Sequence, residues 1–144
     1  MSPTGPKKGL AAADLRGQRV LVRADLNTPQ DWQTSEIVDD QCIRRTIPTI
    51  KMAFDAGARA VVLLAHLGRP NGQHIARLSL RPVADRLREL LDRPVAFIAD
   101  GVGPEAAAAC ATPAPGTVIL LENIRFHVAE EGEGRGPGGQ VCTA

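Results

Sequence analysis

The longest apolar run of the chain is Ala60-Val61-Val62-Leu63-Leu64-Ala65, which has no polar residue at any position. A strand without polar alternation is typical of a parallel sheet that is covered on both faces. Shorter apolar runs at 20–22, 95–98 and 118–121 share this character. We therefore predict four strands of one parallel sheet, of which 60–65 is the clearest.

Helical patterns separate these four runs. The first predicted helix covers 45–56, with Pro48 in its first turn and Gly57 at its end. The second follows an N-cap at Ser79 and carries an apolar stripe formed by Val83, Leu87, Leu90 and Leu91. The third covers 104–111 and begins with proline. The order β-α-β-α-β-α-β predicts an α/β fold with three layers, a doubly wound, Rossmann-like parallel sheet that is incomplete at its edge.

Composition restricts the possible classes of function. The 144 residues suffice for one domain or part of one, and 44% apolar residues are ordinary for a globular protein. A net charge of +1 and only four aromatic residues argue against a nucleic-acid partner. The chain has no apolar run long enough to span a bilayer and no signal peptide, so we expect a cytoplasmic protein without a membrane partner.

Neither metal sites nor disulfides are indicated by the cysteines and histidines. Cys42, Cys110 and Cys142 are odd in number and far apart. His66, His74 and His127 lack the spacing of metal ligands, so no metal is predicted. The last segment, 130–144, is dominated by glycine and glutamate and has no periodicity, so we expect a disordered tail after a partial domain that covers 1–129.

Charged and polar residues come directly after each predicted strand. In open parallel sheets, ligands bind at the carboxyl ends of the strands. The residues in these four positions are Arg23, Asp25, Asn27 and Thr28; His66, Gly68 and Arg69; Asp100, Gly101 and Gly103; and Glu122, Asn123, Arg125 and His127. Three of these four groups contain an arginine, which binds phosphate or carboxylate through two parallel hydrogen bonds. We therefore expect a small anion at this edge of the sheet.

A dinucleotide-binding fingerprint is the alternative at the third strand. Gly101-Val-Gly103-Pro-Glu-Ala106 fits G-x-G-x-x-A, and Glu122 stands where a ribose ligand is expected. Pro104, however, removes an amide hydrogen from the turn that would hold pyrophosphate, and Glu105 adds a negative charge there. A tight turn that leads into a helix explains the motif as well, and we predict no nucleotide site of this kind.

Four motifs resemble those of phosphoglycerate kinase, in the same order and with compatible spacing from about residue 14 to 131. They are the segments Val20-Leu-Val-Arg-Ala-Asp25-Leu-Asn27-Thr-Pro29, His66-Leu-Gly-Arg69-Pro70, Ser79-Leu-Arg-Pro-Val-Ala84 and Leu120-Leu-Glu122-Asn123-Ile-Arg125-Phe126. The resemblance implies the amino-terminal domain of a glycolytic enzyme, cytoplasmic and monomeric at full length. That enzyme transfers a phosphoryl group between 1,3-bisphosphoglycerate and ADP, and its nucleotide, bound with magnesium, occupies a second domain.

Particular residues acquire roles from this resemblance. Asp25 and Asn27 match the family's ligands of the glycerate hydroxyl and carboxylate of 3-phosphoglycerate. His66, Arg69 and Arg125 match its basic patch around the substrate phosphate. Cys42 stands where the family has an arginine that contacts the transferring phosphoryl group, so no catalytic residue is predicted to be intact. Arg45 lies three residues further on and shares a helix face with Cys42 only if the helix starts early.

The sequence contains none of the family's nucleotide-domain motifs. We therefore expect a substrate-binding part without a cofactor site, which is inactive as an isolated chain. A non-catalytic binding module for a small phosphorylated acid and a non-functional truncated product are the alternatives. A deliberate fragment, an incomplete gene and a shifted reading frame after residue 131 are all compatible with the glycine-rich ending.

Overall fold

A single parallel sheet organises the computed structural model, which describes residues 6–135 and 140–143. Its strands lie in the order β1-β2-β4-β3, and every neighbouring pair is parallel. The bounds are β1 (Arg19–Arg23), β2 (Ala60–Leu64), β3 (Val95–Ile98) and β4 (Thr117–Leu121). The prediction of a parallel α/β sheet is confirmed, and the two most apolar runs are its central strands, as burial on both faces requires.

Three helices connect these strands, namely α1 (Gln41–Asp55), α2 (Arg81–Leu91) and α3 (Pro104–Ala111). Short 3-10 turns occupy Leu10–Ala12, Ala76–Leu78 and Ile124–Phe126. α3 has its predicted bounds. The N-cap of α2 is Leu80 rather than the predicted Ser79, whose hydroxyl accepts a hydrogen bond from the backbone N–H of Arg81 at 3.2 Å. No helix in the described ranges is both long and apolar enough to cross a membrane.

α1 begins at Gln41, four residues before the predicted start. The Asp39 carboxylate accepts a hydrogen bond from the backbone N–H of Gln41 at 2.9 Å and thereby serves a free amide of the first turn. The Asp40 carboxylate pairs with Arg44 at 2.8 Å and with Arg86 of α2 at 2.7 Å, so it ties this turn to the neighbouring helix. These contacts extend the helix, and Pro48 consequently lies in its interior rather than in its first turn.

The two faces of the sheet are covered unequally. α1 and α2 pack on one face, where Ile50, Leu63, Leu87 and Leu120 are fully buried. On the other face, α3 packs over β3 and β4 and over Val62 of β2, whereas Leu21 of β1 is 63% exposed. An apolar groove of about 510 Å³ remains there between β1 and α3. Helices on both faces were expected, but one short helix cannot cover four strands.

Part of the segment for which a disordered tail was predicted has helix and strand geometry in the described residues. Short helix α4 (Val128–Glu131) leads into β5 (Glu133–Arg135), which pairs antiparallel with β6 (Val141–Thr143). The backbone N–H of Arg135 donates to the Asn71 carbonyl at 2.8 Å, and a Cβ on Gly134 would lie only 2.5 Å from that oxygen. Glycine therefore permits the approach that orders this segment. The rest of the predicted disordered tail, 136–139 and Ala144, lies outside the described residues.

Candidate anion-binding site

The carboxyl ends of β1, β2 and β4 meet because these strands are neighbours in the sheet. The loop after β2 is held from both sides. The backbone N–H of Gly68 donates to the Asn27 side-chain oxygen at 3.0 Å, and Arg125 Nη1 contacts the Gly68 carbonyl at 3.5 Å. The structure therefore brings two of the predicted ligands, Asn27 and Arg125, to the same loop.

His66 lies among charges of both signs at this edge. Burial of its imidazole lowers its pKa below the ordinary value, and the guanidinium groups of Arg125 and Arg23 lower the pKa further. The carboxylates of Asp25 and Glu131 oppose this shift but do not cancel it. Burial is the largest cause of the lowered pKa, but among the charges each of the two guanidinium groups acts on His66 more strongly than either carboxylate, as a site for an anion requires.

Asp25 and Arg69, the remaining predicted ligands, are exposed. The Asp25 carboxylate accepts a hydrogen bond from the backbone N–H of Asn27 at 3.2 Å, which orients the turn after β1. Arg69 forms no hydrogen bond or ion pair with any residue that the structure describes. Arg23, His66, Arg69 and Arg125 are called the basic rim below.

Cys42 and Arg45 line one cavity of about 250 Å³ together with Arg23 and Asp25. This arrangement results from the early start of α1, which places positions three apart on the same helix face. The sequence-based condition for Arg45 to lie beside Cys42 is therefore met. The Arg45 guanidinium contacts the Gln41 side-chain oxygen at 3.4 Å.

Glu122 and Asn123 fasten the loops behind the site rather than face a ligand. The Glu122 carboxylate, in a residue only 4% exposed, accepts hydrogen bonds from Ser79 Oγ at 2.6 Å and from the backbone N–H groups of Leu80 and Asn123, both at 2.8 Å. The Asn123 amide donates to the carbonyls of Leu67 and Leu78. All of these groups are satisfied internally, so Glu122 is not available as a ribose ligand.

His127 and Asp100 form a separate pair at the ends of β4 and β3, with His127 Nε2 and Asp100 Oδ1 2.7 Å apart. Partial burial acts to raise the pKa of Asp100. Hydrogen bonds from the Val102 backbone and the His127 ring outweigh burial, so the pKa lies below its ordinary value. His127 is therefore paired with Asp100, and it was not among the residues assigned to the anion site.

Three charged residues at this edge, Arg23, Glu130 and Glu131, were not among the predicted ligands. Arg23 pairs with Glu130 at 2.6 Å, and Arg125 Nε pairs with Glu131 at 2.8 Å. The sequence placed both glutamates in the disordered tail. The available signal was the acidic pair shortly after Arg125-Phe126-His127, since opposite charges that close in sequence often pair.

Fold and site together define a Rossmann-like α/β domain with clustered guanidinium groups at the carboxyl ends of its strands. A family model described as phosphoglycerate kinase matches residues 10–138, which is most of the chain. The chain therefore belongs to the phosphoglycerate kinase family, whose members are glycolytic transferases that use 3-phosphoglycerate and magnesium-bound ATP.

Individual relatives agree with this assignment. The chain is 48% identical over 138 residues to phosphoglycerate kinase of Schistosoma mansoni and 50% identical over 139 residues to phosphoglycerate kinase 2 of Macaca fascicularis. Each match covers 96% of this chain and 33% of the relative. The chain thus spans about a third of the length of these relatives.

Solved structures of the family share the fold. Phosphoglycerate kinase from Pyrococcus horikoshii OT3 superposes with a TM-score of 0.72 at 31% identity, over 82% of this chain and 28% of that one. The enzyme from Coxiella burnetii gives a TM-score of 0.63 at 37% identity, over 80% of this chain and 27% of that one. The predicted family and fold class are both confirmed.

Proposed function

We propose that this chain is the 3-phosphoglycerate-binding part of a phosphoglycerate kinase, or binds a closely similar phosphorylated acid. One observation carries the proposal: three neighbouring strand ends bring Arg23, His66 and Arg125 to one edge, where burial and the two guanidinium groups lower the pKa of His66. Paired guanidinium groups suit a phosphate because each donates two hydrogen bonds in a fixed geometry.

The proposed roles depend on the chemistry of each side chain. Arg69 and Arg125 bind the substrate phosphate, and His66 adds a hydrogen-bond donor to it. Asp25 and Asn27, on the turn after β1, bind the hydroxyl and carboxylate end. The Asn27 side-chain oxygen already orients the loop that carries Arg69, so the two halves of the proposed site are coupled.

Turnover by this chain alone is not part of the proposal. Within the described ranges, no three His, Cys, Asp or Glu side chains are grouped to hold a metal ion, so the proposal assigns no ligand of Mg-ATP to them. Cys42 offers a thiol where the family's arginine would stabilise the transferring phosphoryl group, and a thiol supplies neither charge nor fork. We therefore propose that the chain binds its substrate in the cytoplasm and does not convert it by itself.

Isothermal titration calorimetry with 3-phosphoglycerate tests this function. We expect Arg69→Ala to weaken binding about tenfold, because it removes a charged donor to the phosphate. Arg16→Ala is the matched control, since Arg16 is 82% exposed and precedes the amino end of β1. Equal affinities of the two variants would contradict the proposed site. If the unmodified chain does not bind 3-phosphoglycerate, the proposed function is contradicted, although the chain still belongs to the family.

A further inference from the structure

The basic rim already carries two carboxylates of its own chain. Glu130 Oε1 lies 2.6 Å from Arg23 Nη2, and Glu131 Oε1 lies 2.8 Å from Arg125 Nε. The side chains of Arg125 and Glu131 are 29% and 24% exposed, so water screens this second pair less than an ordinary surface pair. Both acids come from α4, which begins two residues after Phe126 of the Arg125 motif.

Contacts of α4 with the loop after β2 place these carboxylates. The backbone N–H of Gly72 donates to the Arg125 carbonyl at 3.1 Å. Gly72 has a φ of +74°, and a Cβ at this position would lie 2.5 Å from the Val128 side chain. Val128 begins α4, so this close approach fixes the start of the helix from which Glu130 and Glu131 extend. The two ion pairs are therefore built into the fold.

The charges at the rim make the two glutamates competitors of any incoming anion. A phosphate that engages Arg125 meets a guanidinium whose Nε is occupied by Glu131. Its approach is also opposed by the negative charges of Glu130, Glu131 and Asp25, of which Glu131 and Asp25 act on His66. A dianion gains more from the arginines than a monoanion does, because the Coulomb attraction scales with its charge.

We propose that Glu130 and Glu131 are internal counter-ions that hold the basic rim closed to weakly charged anions and yield to a phosphate dianion. They lower the affinity of the proposed site for every anion without touching the substrate in its bound position, so only an anion with enough charge to displace them binds well. The inference rests on the proposed function for the location of the anion, but it does not require that the anion be a glycerate ester.

Orthophosphate binding at pH 8, where the dianion dominates, tests the proposal. The proteins are the unmodified chain, Glu130→Gln, Glu131→Gln and the double variant, all titrated at constant ionic strength. Glu133→Gln is the matched control, because it removes the same charge from an exposed position that has no ion pair within the described residues. Thermal melts establish that each variant is folded. If Glu131→Gln does not fold, the test is made with Glu130→Gln, which changes the more exposed of the two carboxylates.

We expect each single variant to bind orthophosphate about threefold more tightly and the double variant about tenfold, while the control changes less than about twofold. We also expect orthophosphate to gain at least as much as acetate, because the repulsion by the two carboxylates grows with the charge of the anion. Weaker binding by Glu131→Gln would overturn the proposal, because Glu131 would then position Arg125 for the ligand. Double-variant binding equal to that of the control, or no anion binding by any of the proteins, would overturn it as well.

A parallel titration with 3-phosphoglycerate separates this proposal from the proposed function. If the double variant binds orthophosphate more tightly and no protein binds 3-phosphoglycerate, the proposal that Glu130 and Glu131 are counter-ions is supported. The proposal that 3-phosphoglycerate is the substrate is then contradicted. If 3-phosphoglycerate binds and neither substitution changes its affinity, the proposed substrate is supported and the proposed role of the two glutamates is contradicted. In the ligand-free protein, loss of Glu131 is expected to shift the Arg125 Nε–Hε resonance, and Glu133→Gln is expected to leave it in place.

Discussion

At the residue scale, His66 reports the electrostatic field of the site. Burial and two guanidinium groups hold its pKa below the ordinary value of 6.5 in the folded chain. Between the two pKa values the unfolded state binds more protons, so the folded state loses stability as the pH falls through this window. Stability is restored as the pH rises above 6.5, where His66 is neutral in both states.

An NMR titration of the His66 ring protons measures this effect. We expect a midpoint below pH 6.5, and a higher midpoint when orthophosphate is bound, because an anion stabilises the imidazolium form. A midpoint above 6.5 without ligand would contradict the combined effect of burial and the two guanidinium groups on His66.

Cys42 provides a second test at the scale of one residue. A catalytic arginine that neutralises a transferring phosphoryl group is worth roughly 10³–10⁵ in rate. We expect Cys42→Arg to raise turnover at least about tenfold when the chain is mixed with the nucleotide-binding part of a full-length relative. Cys42→Lys restores the charge without the fork and should gain less.

The position of Arg45 sharpens this prediction. Arg45 shares the cavity with Cys42 and therefore supplies a positive charge within one turn of the helix. If Arg45 already compensates, Cys42→Arg gains little and Arg45→Ala removes what activity exists. Equal rates for the unmodified chain, both Cys42 variants and Arg45→Ala would contradict the assignment of this position.

At the scale of elements, Glu122 joins β4 to the start of α2. Glu122→Ala leaves the Ser79 hydroxyl and two backbone N–H groups without an acceptor in a buried place. Because each unsatisfied buried group costs about 1–3 kcal/mol, we expect the free energy of unfolding to fall by about 3 kcal/mol or more. Denaturant unfolding measures this change.

The conservative variant distinguishes hydrogen bonding from charge at the same position. In Glu122→Gln the amide oxygen still accepts from the two backbone groups, and the amide N–H₂ can donate to Ser79 Oγ. We expect a loss of about 1 kcal/mol, the share that an ionised acceptor adds to its hydrogen bonds. An equal loss in the two variants would show that the negative charge of the carboxylate, rather than its packing or the number of its hydrogen bonds, accounts for the effect.

Element types were predictable from local sequence, whereas two boundaries were not. The runs 60–65 and 118–121 could only be buried strands, and Pro104 marked the start of α3 as the structure has it. The start of α1 depends on Arg86 of α2, which no local pattern reveals. The order of the segment after 130 depends on contacts of Gly134 and Arg135 with Asn71, which are equally remote in sequence.

At the scale of the whole molecule, the strand order explains why the residues of the candidate site lie at one edge of the sheet. The rule that ligands bind at the carboxyl ends of parallel strands needs only the strands and the residues directly after them. From the sequence alone, this rule predicts that Asn27, His66 and Arg125 lie at the same edge of the sheet. The counter-ions Glu130 and Glu131 could not be placed in this way, because their positions depend on the packing of α4.

The uneven cover of the sheet is a further property of the whole molecule. Leu21 and the apolar groove beside α3 leave one face of β1 exposed to water. The site lies at the carboxyl ends of the strands, and the helices that support its loops, α1 and α2, pack on the fully covered face. The assembly of the site therefore depends on the better packed half of the domain.

The most direct test of substrate binding is a thermal melt of the purified chain with and without 3-phosphoglycerate, with sulfate at matched ionic strength as the control. At about 100 times its dissociation constant, a ligand that binds only the folded state adds roughly 2.7 kcal/mol to the free energy of unfolding. We predict a cooperative melt that the glycerate shifts upward and sulfate shifts much less. Equal shifts with both anions, or no shift with either, would contradict a site built for 3-phosphoglycerate.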